Sequence, residues 1–196
     1  LSVGLFFQML AKRYLTDQAI NSLKNNSTTI SQLASAYYTD NRLSDQDFLV
    51  NLSLATNISN SNAVICDATG KLLMCSDAPL GCEHQGMTIT SQRFLQRILT
   101  QEYVVSNGVI DGLYEEDRYV VSTTIRDTTN QVVGIVIVST PMEQVTQILQ
   151  KISDTYLFLS VMTVLLAVVA MSILVRRQSR PLRDMAKAAS DFGHGN

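Results

Sequence analysis

The sequence predicts an α+β fold in which a long helix precedes an antiparallel β-sheet and an apolar helix follows it. Three observations support this prediction. Apolar residues at helical spacing run through residues 14–38. Short segments rich in β-branched residues, separated by turn residues, follow between residues 63 and 140. Residues 156–175 then form an uncharged stretch long enough to cross a membrane.

The uncharged stretch predicts how the rest of the chain lies relative to a membrane. Residues 156–175 contain no charged residue, Pro or Gly, and a helix of this length rises about 30 Å, the thickness of a hydrocarbon core. Basic residues follow it, namely Arg176, Arg177, Arg180 and Arg183. Because basic residues concentrate on the cytoplasmic side of membrane helices, we expect residues 154–176 to cross the cell membrane, with residues 14–153 outside and the C-terminus in the cytoplasm. The alternative is a buried helix of a soluble protein.

Charge is distributed unevenly along the 196 residues, whose net charge is −2. Residues 16–154 contain eight Lys/Arg and fifteen Asp/Glu, a net of −7, whereas residues 176–196 contain five Lys/Arg and two Asp, a net of +3. An acidic outer domain and a basic inner tail fit the membrane placement and argue against nucleic acid as a partner.

Helical patterns dominate the first part of the chain. Residues 1–10 are mostly apolar and precede Lys12 and Arg13, so we expect residues 1–13 to be the outer end of a first transmembrane helix. A signal-peptide remnant and an amphipathic surface helix are the alternatives. The next helix carries a stripe at steps of three and four that could pack on its own domain or on a second copy: Ile20, Leu23, Ser27, Ile30, Ala34 and Tyr37. Ser44 is expected to open a second helix.

Five strand segments and one further helix follow. The strand segments are residues 63–66, 71–75, 103–110, 118–126 and 132–140, and the helix is residues 91–100. Asp67 and Gly70 bound a hairpin turn between the first two strands. The last strand is nearly all β-branched, which is typical of a central strand.

The three cysteines allow several interpretations. Alternation along the first strand predicts that Cys66 is buried. Cys75, Cys82 and His84 lie close together in the sequence. We expect a disulfide between Cys75 and Cys82, with free thiols or a metal site completed by His84 as alternatives. We adopt the disulfide, and we expect neither a metal ion nor a cofactor in this chain.

A hairpin behind a long helix that leaves a membrane, followed by a short helix and three more strands, resembles the PAS-like extracytoplasmic sensor domains called PDC or Cache domains. The resemblance implies five strands with helices on one face and a ligand pocket on a concave sheet. Arg93 is then the candidate for an anionic group, with Tyr114 and Tyr119 near the bend between strands. No catalytic constellation is recognisable, and the acidic run at residues 115–117 is expected to be a solvated loop.

The tail resembles the first helix of a HAMP domain, the signal relay of bacterial transmembrane receptors. Residues 177–196 have basic residues at the membrane edge and Pro181 at the helix start. A 3, 4, 3 spacing predicts a coiled-coil seam of Leu182, Met185, Ala189 and Phe192. The alternative is a basic juxtamembrane helix on anionic lipid.

Together these features resemble the input half of a bacterial transmembrane sensor histidine kinase. The resemblance implies a homodimer that responds to an extracellular small molecule or ion. It also implies a kinase domain beyond residue 196 that uses ATP and Mg and acts on a response regulator. A chemoreceptor, a cyclic-dinucleotide enzyme and a membrane-attached binding protein are the alternatives.

Overall fold

The computed structural model describes residues 2–39, 46–76, 82, 84, 86–110 and 113–193, the last of these beyond Arg177 by their backbone only. The helices are α1 (Ser2–Thr39), α2 (Gln46–Ile58), α3 (Gln92–Thr100) and α4 (Met142–Gly193). The strands are β1 (Asn62–Asp67), β2 (Leu72–Cys75), β3 (Val104–Ile110), β4 (Tyr114–Arg126) and β5 (Val132–Pro141). The predicted α+β fold, with a long N-terminal helix and an antiparallel sheet, is confirmed.

The five strands form one antiparallel sheet in the order β2-β1-β5-β4-β3. Strand β5 lies in the middle, as its β-branched sequence predicted, and its residues 134–138 are all buried. In register, Ile137 of β5 lies between Val64 of β1 and Ser122 of β4. Because side chains alternate along each strand, these three residues share one face of the sheet.

Equivalent turns connect β1 to β2 and β4 to β5. In the first, one carboxylate oxygen of Asp67 accepts hydrogen bonds from the backbone and hydroxyl of Thr69 and from the backbone of Lys71. Burial raises the pKa of this carboxyl, but the hydrogen bonds and the charge of Lys71 together lower it by more, so its pKa lies below the ordinary value. Asp127 accepts the equivalent bonds in the second turn. In both turns an aspartate carboxylate accepts hydrogen bonds from backbone N–H groups of the turn, and these bonds fix the conformation of the turn.

Helices α1 and α2 cover one face of the sheet. The predicted α1 stripe is buried at Leu23, Ser27, Ile30 and Ala34, and Ile20 and Tyr37 pack partly buried beside it. Phe48 and Leu52 of α2 complete this core. Complete burial of a Leu, Ile or Phe side chain stabilises the fold by about 1.5–3 kcal/mol, so this stripe holds α1 on the sheet.

Helix α3 covers the other face, so the expectation of helices on one face only is corrected. Ile98 of α3 is completely buried and packs in a cluster with Val104, Val120 and Ile137. A helix of nine residues depends on tertiary packing of this kind for its stability. Helices therefore cover both faces of the sheet, and the space between α3 and the sheet is a candidate ligand site.

The start of the fourth strand differs from the sequence prediction. Strand β4 begins at Tyr114 rather than at Arg118, so the acidic residues 115–117 lie in an exposed part of a strand instead of a loop. Pairing of Gly108 with Arg118 and of Ile110 with Tyr114 extends the ladder through this charged segment. The predicted opening of α2 at Ser44 lies outside the described residues.

The chain divides into two compact units, Leu1–Leu149 and Gln150–Asn196. Among the described residues, α4 is the helix long and apolar enough to cross a membrane: Met142–Arg177 contains an 18-residue window of mean hydropathy 2.7, none of it buried. The expected seam residues Leu182, Met185, Ala189 and Phe192 lie on the helical backbone of α4, but their side chains are outside the described part of the chain.

Candidate functional site: a basic cavity beneath α3

A cavity of about 290 Å³ lies between α3 and strands β3 and β4. Its lining residues are Ile89, Ser91, Arg93, Phe94, Arg97, Ser106, Gly108, Val109 and Val120. The lining therefore combines apolar residues with two arginines, two serines and one glycine. This volume is at the lower end of the range for small-molecule sites.

Helix α3 positions the basic groups of this α3 cavity. Its buried residue Ile98 fixes the rotation of the helix, and Arg93 and Arg97 line the cavity while remaining exposed to solvent. Residues four apart lie one above the other on a helix, so both guanidinium groups reach the same opening. Ser91 is the N-cap residue of α3, and its side chain makes no capping hydrogen bond.

Strand β3 provides an irregular floor. Gly108 has a φ of +118°, a conformation that L side chains rarely adopt. The ladder with β4 shifts register between Gly108 and Ile110. Such an irregularity bends a strand and changes where its side chains point. Ser106, two residues before Gly108, lines the same cavity.

The lining of the α3 cavity is basic although the domain as a whole is acidic. Arg93 and Arg97 contribute two positive charges, and none of the lining residues in the described part of the chain is Asp or Glu. Guanidinium groups bind carboxylate and phosphate oxygens through paired N–H donors. The arrangement can therefore bind a small anion and fix its orientation.

The structure places the three sequence-predicted ligand residues in different surroundings. Arg93 lines the α3 cavity. Tyr114 is half-buried at the start of β4, with its ring 4.0 Å from the Arg118 guanidinium carbon and its centroid 5.7 Å from that of His84. Tyr119 lies on the opposite face of the sheet, in the core beneath α1, so it does not line the candidate site.

Sequence reasoning missed two basic residues on the α3 face. Arg97 follows Arg93 by four residues, a spacing that could have identified it. Arg118 is 3% exposed in β4, where its Nε donates to Ser139 Oγ at 3.0 Å. Its two terminal nitrogens donate to Glu116 and Asn62. Arg118 thus connects β4, β5 and β1 beneath Tyr114, and no sequence signal pointed to it because it stands in an acidic run.

The cysteines occupy the same face. Cys75 and Cys82 form a disulfide with Cα atoms 5.7 Å apart, and Cys75 is buried in the cluster beneath α3. Cys66 is a completely buried free thiol. Burial, and then the nearby charge of Asp67, raise the pKa of the Cys66 thiol to about 12.

We expect the folded chain to react with no thiol reagent at pH 8. The disulfide occupies two sulfurs, and Cys66 is both inaccessible and protonated because its pKa lies far above this pH. Mass spectrometry after alkylation should find no label without reductant, two labels after reduction, and three after reduction and denaturation. Immediate labelling of Cys75 and Cys82 in the unreduced protein would contradict the disulfide.

Comparison with solved structures assigns the fold. The sensor domain of the histidine kinase DctB from V. cholerae has a TM-score of 0.57 and 12% identity, over 71% of this chain and 55% of that one. The sensor domain of DcuS from E. coli has a TM-score of 0.50 and 14% identity, over 66% and 96%. The ligand-binding domain of the amino acid chemoreceptor PctC from Pseudomonas aeruginosa PAO1, in complex with GABA, has a TM-score of 0.51 and 14% identity, over 76% and 68%.

These likenesses show the PDC/Cache sensor-domain fold. The match extends over nearly all of the DcuS sensor domain but only about half of the DctB one. No protein-family model matches the sequence, and no curated protein sequence matches it.

Proposed function

We propose that this chain is the sensory input portion of a bacterial transmembrane receptor, and that it binds a small anionic molecule in the α3 cavity. The observation that carries the proposal is the pair Arg93 and Arg97 on one turn of α3, over a cavity whose described lining contains no acidic residue. A fold that sensor domains of histidine kinases and chemoreceptors share supports the same function.

The size and chemistry of the cavity narrow the class of ligand. About 290 Å³ accommodates a molecule of a few to about ten non-hydrogen atoms. Two guanidinium groups favour a carboxylate or phosphate, Ser91 and Ser106 supply hydroxyls, and Phe94 supplies an apolar wall. Small carboxylates, including amino acids and dicarboxylates, meet all of these requirements.

A thermal-shift screen of small carboxylates, phosphates and their neutral amides tests this class. A ligand at 100 times its dissociation constant should raise the melting temperature by roughly 5–10 °C, because binding stabilises the folded state by about 2.7 kcal/mol. The acids should stabilise and the amides should not. Equal stabilisation by acids and amides would show that the site does not recognise an anion.

The proposed location is the cell membrane, with residues 14–153 extracytoplasmic and the C-terminus cytoplasmic. The positive flank at Arg176 and Arg177 supports this orientation. A membrane-impermeant maleimide should label Asn57→Cys, which is exposed on α2, in intact cells. Ser179→Cys should be labelled only after lysis. Labelling of both from outside would refute the topology, and the native cysteines give little background because they are buried or bonded.

We further propose that the output is a cytoplasmic histidine kinase, reached through α4 and a HAMP relay in a homodimer. In that assignment the kinase domain beyond residue 196 uses ATP and Mg and transfers phosphate to a response regulator. A chemoreceptor output is the second candidate, because the PctC ligand-binding domain has the same fold.

Disulfide crosslinking tests the relay. If Leu182, Met185, Ala189 and Phe192 form a parallel dimer seam, Leu182→Cys and Ala189→Cys should crosslink to their counterparts in a second chain. Asp184→Cys and Ser190→Cys, on the opposite face of the helix, should crosslink several-fold less. Equal crosslinking at all four positions would indicate a lipid-bound helix instead of a HAMP seam.

A further inference from the structure

A second group of ligating side chains lies on the α3 face, outside the lining of the α3 cavity. It consists of Cys75 at the end of β2, Cys82 and His84. We propose that, once the Cys75–Cys82 disulfide is reduced, these three side chains bind a thiophilic divalent metal ion such as Zn²⁺. The inference goes beyond the proposed function, because it uses none of the residues that line the α3 cavity.

The geometry of the three side chains fits such an ion. The two Sγ atoms and a ring nitrogen of His84 all lie within 4.8 Å of one another. Tetrahedral zinc, with Zn–S near 2.3 Å and Zn–N near 2.0 Å, requires ligand atoms about 3.5–3.8 Å apart. The bonded sulfurs must separate to reach that spacing, and Cα atoms 5.7 Å apart allow this by side-chain rotation.

His84 provides an independent observation. Its Nδ1 atom is buried and has no hydrogen-bond partner in the described part of the chain. Leaving a buried polar atom without a partner costs free energy, and such atoms are rare in folded proteins. The ring is held in place against Tyr114. Nδ1 is therefore available to a metal ion without the loss of a hydrogen bond to any described residue.

The surroundings favour a site with no net charge. Cys75 is 2% exposed, and it packs in the apolar cluster with Leu72, Ile89 and Leu113. Two thiolates and a neutral imidazole around a divalent ion sum to zero charge, so the loaded site avoids the cost of burying an unpaired charge. Three protein ligands leave a fourth position open to water or to a small external ligand.

Metal binding should depend on the redox state. A trialkylphosphine attacks the S–S bond, and with one water molecule it yields two thiols and the phosphine oxide, so that the disulfide gains two electrons and two protons. Zinc then displaces the two thiol protons as it binds the thiolates. In the disulfide form neither sulfur is a thiolate, and the same three side chains provide a single ligand, His84.

The test titrates the full chain in detergent with Zn²⁺ against a chromophoric chelator, before and after phosphine reduction under argon. Reduced wild type should bind one Zn²⁺ per chain, and the oxidised protein should bind at least about 100-fold more weakly. Co²⁺ in place of Zn²⁺ should give the absorption of tetrahedral thiolate coordination in the reduced protein only.

Variants test whether zinc binds at these three side chains or elsewhere in the chain. Cys82→Ser should abolish zinc binding under reducing conditions, and His84→Ala should weaken it at least about tenfold. Cys66→Ser, the matched thiol control, should bind as wild type does. The inference is overturned if reduced wild type binds no zinc, or if Cys82→Ser binds it equally well. Arg93→Ala should leave zinc affinity unchanged, so failure here is distinguishable from failure of the proposed anion site.

Discussion

Replacing Arg118 by alanine should lower the free energy of unfolding of the sensor unit by about 3 kcal/mol, because a buried charged side chain and its hydrogen bonds to three strands are removed. The side chain is 3% exposed and donates to Ser139, Glu116 and Asn62, which lie on β5, β4 and β1. Its guanidinium also lies 4.0 Å from the centre of the Tyr114 ring. Alanine would remove the Nε donor from the buried Ser139 hydroxyl and create a cavity beneath that ring.

Urea unfolding followed by circular dichroism measures this change. Arg126→Ala is the matched control, since Arg126 is an exposed arginine of the same strand that donates to the carbonyl of Asn130. It should cost less than about 1 kcal/mol. Arg118→Lys should be intermediate, because lysine retains the charge but lacks the planar fork of donors. Similar losses for Arg118→Ala and Arg126→Ala would show that the buried contacts do not support the sheet.

Reversing both charges of the α3 cavity should weaken binding of an anionic ligand by a factor on the order of 100 or more, since each charged hydrogen bond contributes about 1.5–3 kcal/mol. The variant is Arg93→Glu with Arg97→Glu. Both side chains are exposed, so the fold should tolerate the change. The control is Gln92→Ala, an exposed residue of α3 outside the cavity lining.

Isothermal titration calorimetry with the strongest ligand of the thermal-shift screen measures the affinities. Wild type and Gln92→Ala should agree within about twofold. Unfolding curves of the double variant provide the check that loss of binding is not loss of structure. Undiminished affinity in a folded double variant would remove the α3 cavity as the binding site.

Hydrophobic periodicity predicted the scaffold of this fold well. Helix α1 is buried on one face, and strand β5 is buried on both faces. Burial of one face gives apolar residues at helical spacing, and burial of both faces gives an unbroken apolar run, so both elements can be recognised in the sequence. The start of β4 was missed because residues 115–117 are charged and exposed, and it is pairing with β3 that makes them a strand. The β-propensities of individual residues do not predict which segments pair as strands.

The candidate site was less predictable. Tyr114 and Tyr119 are five residues apart on one strand, so alternation places them on opposite faces. The sequence prediction placed both near the bend between strands and began the strand at Arg118, after Tyr114, so alternation was not applied to this pair. Arg93 belongs to a short helix whose orientation is fixed by its one buried residue, Ile98. That contact depends on the tertiary fold, and sequence spacing alone does not give it.

A crystal structure of the chain with the strongest carboxylate ligand tests the central claim most directly. We expect the carboxylate between the guanidinium groups of Arg93 and Arg97, within hydrogen-bonding distance of at least one of them. We also expect the rest of the molecule against Phe94 and Val120, which line the same cavity. A ligand bound on the α1 face of the sheet, or elsewhere with the α3 cavity unoccupied, would contradict the account.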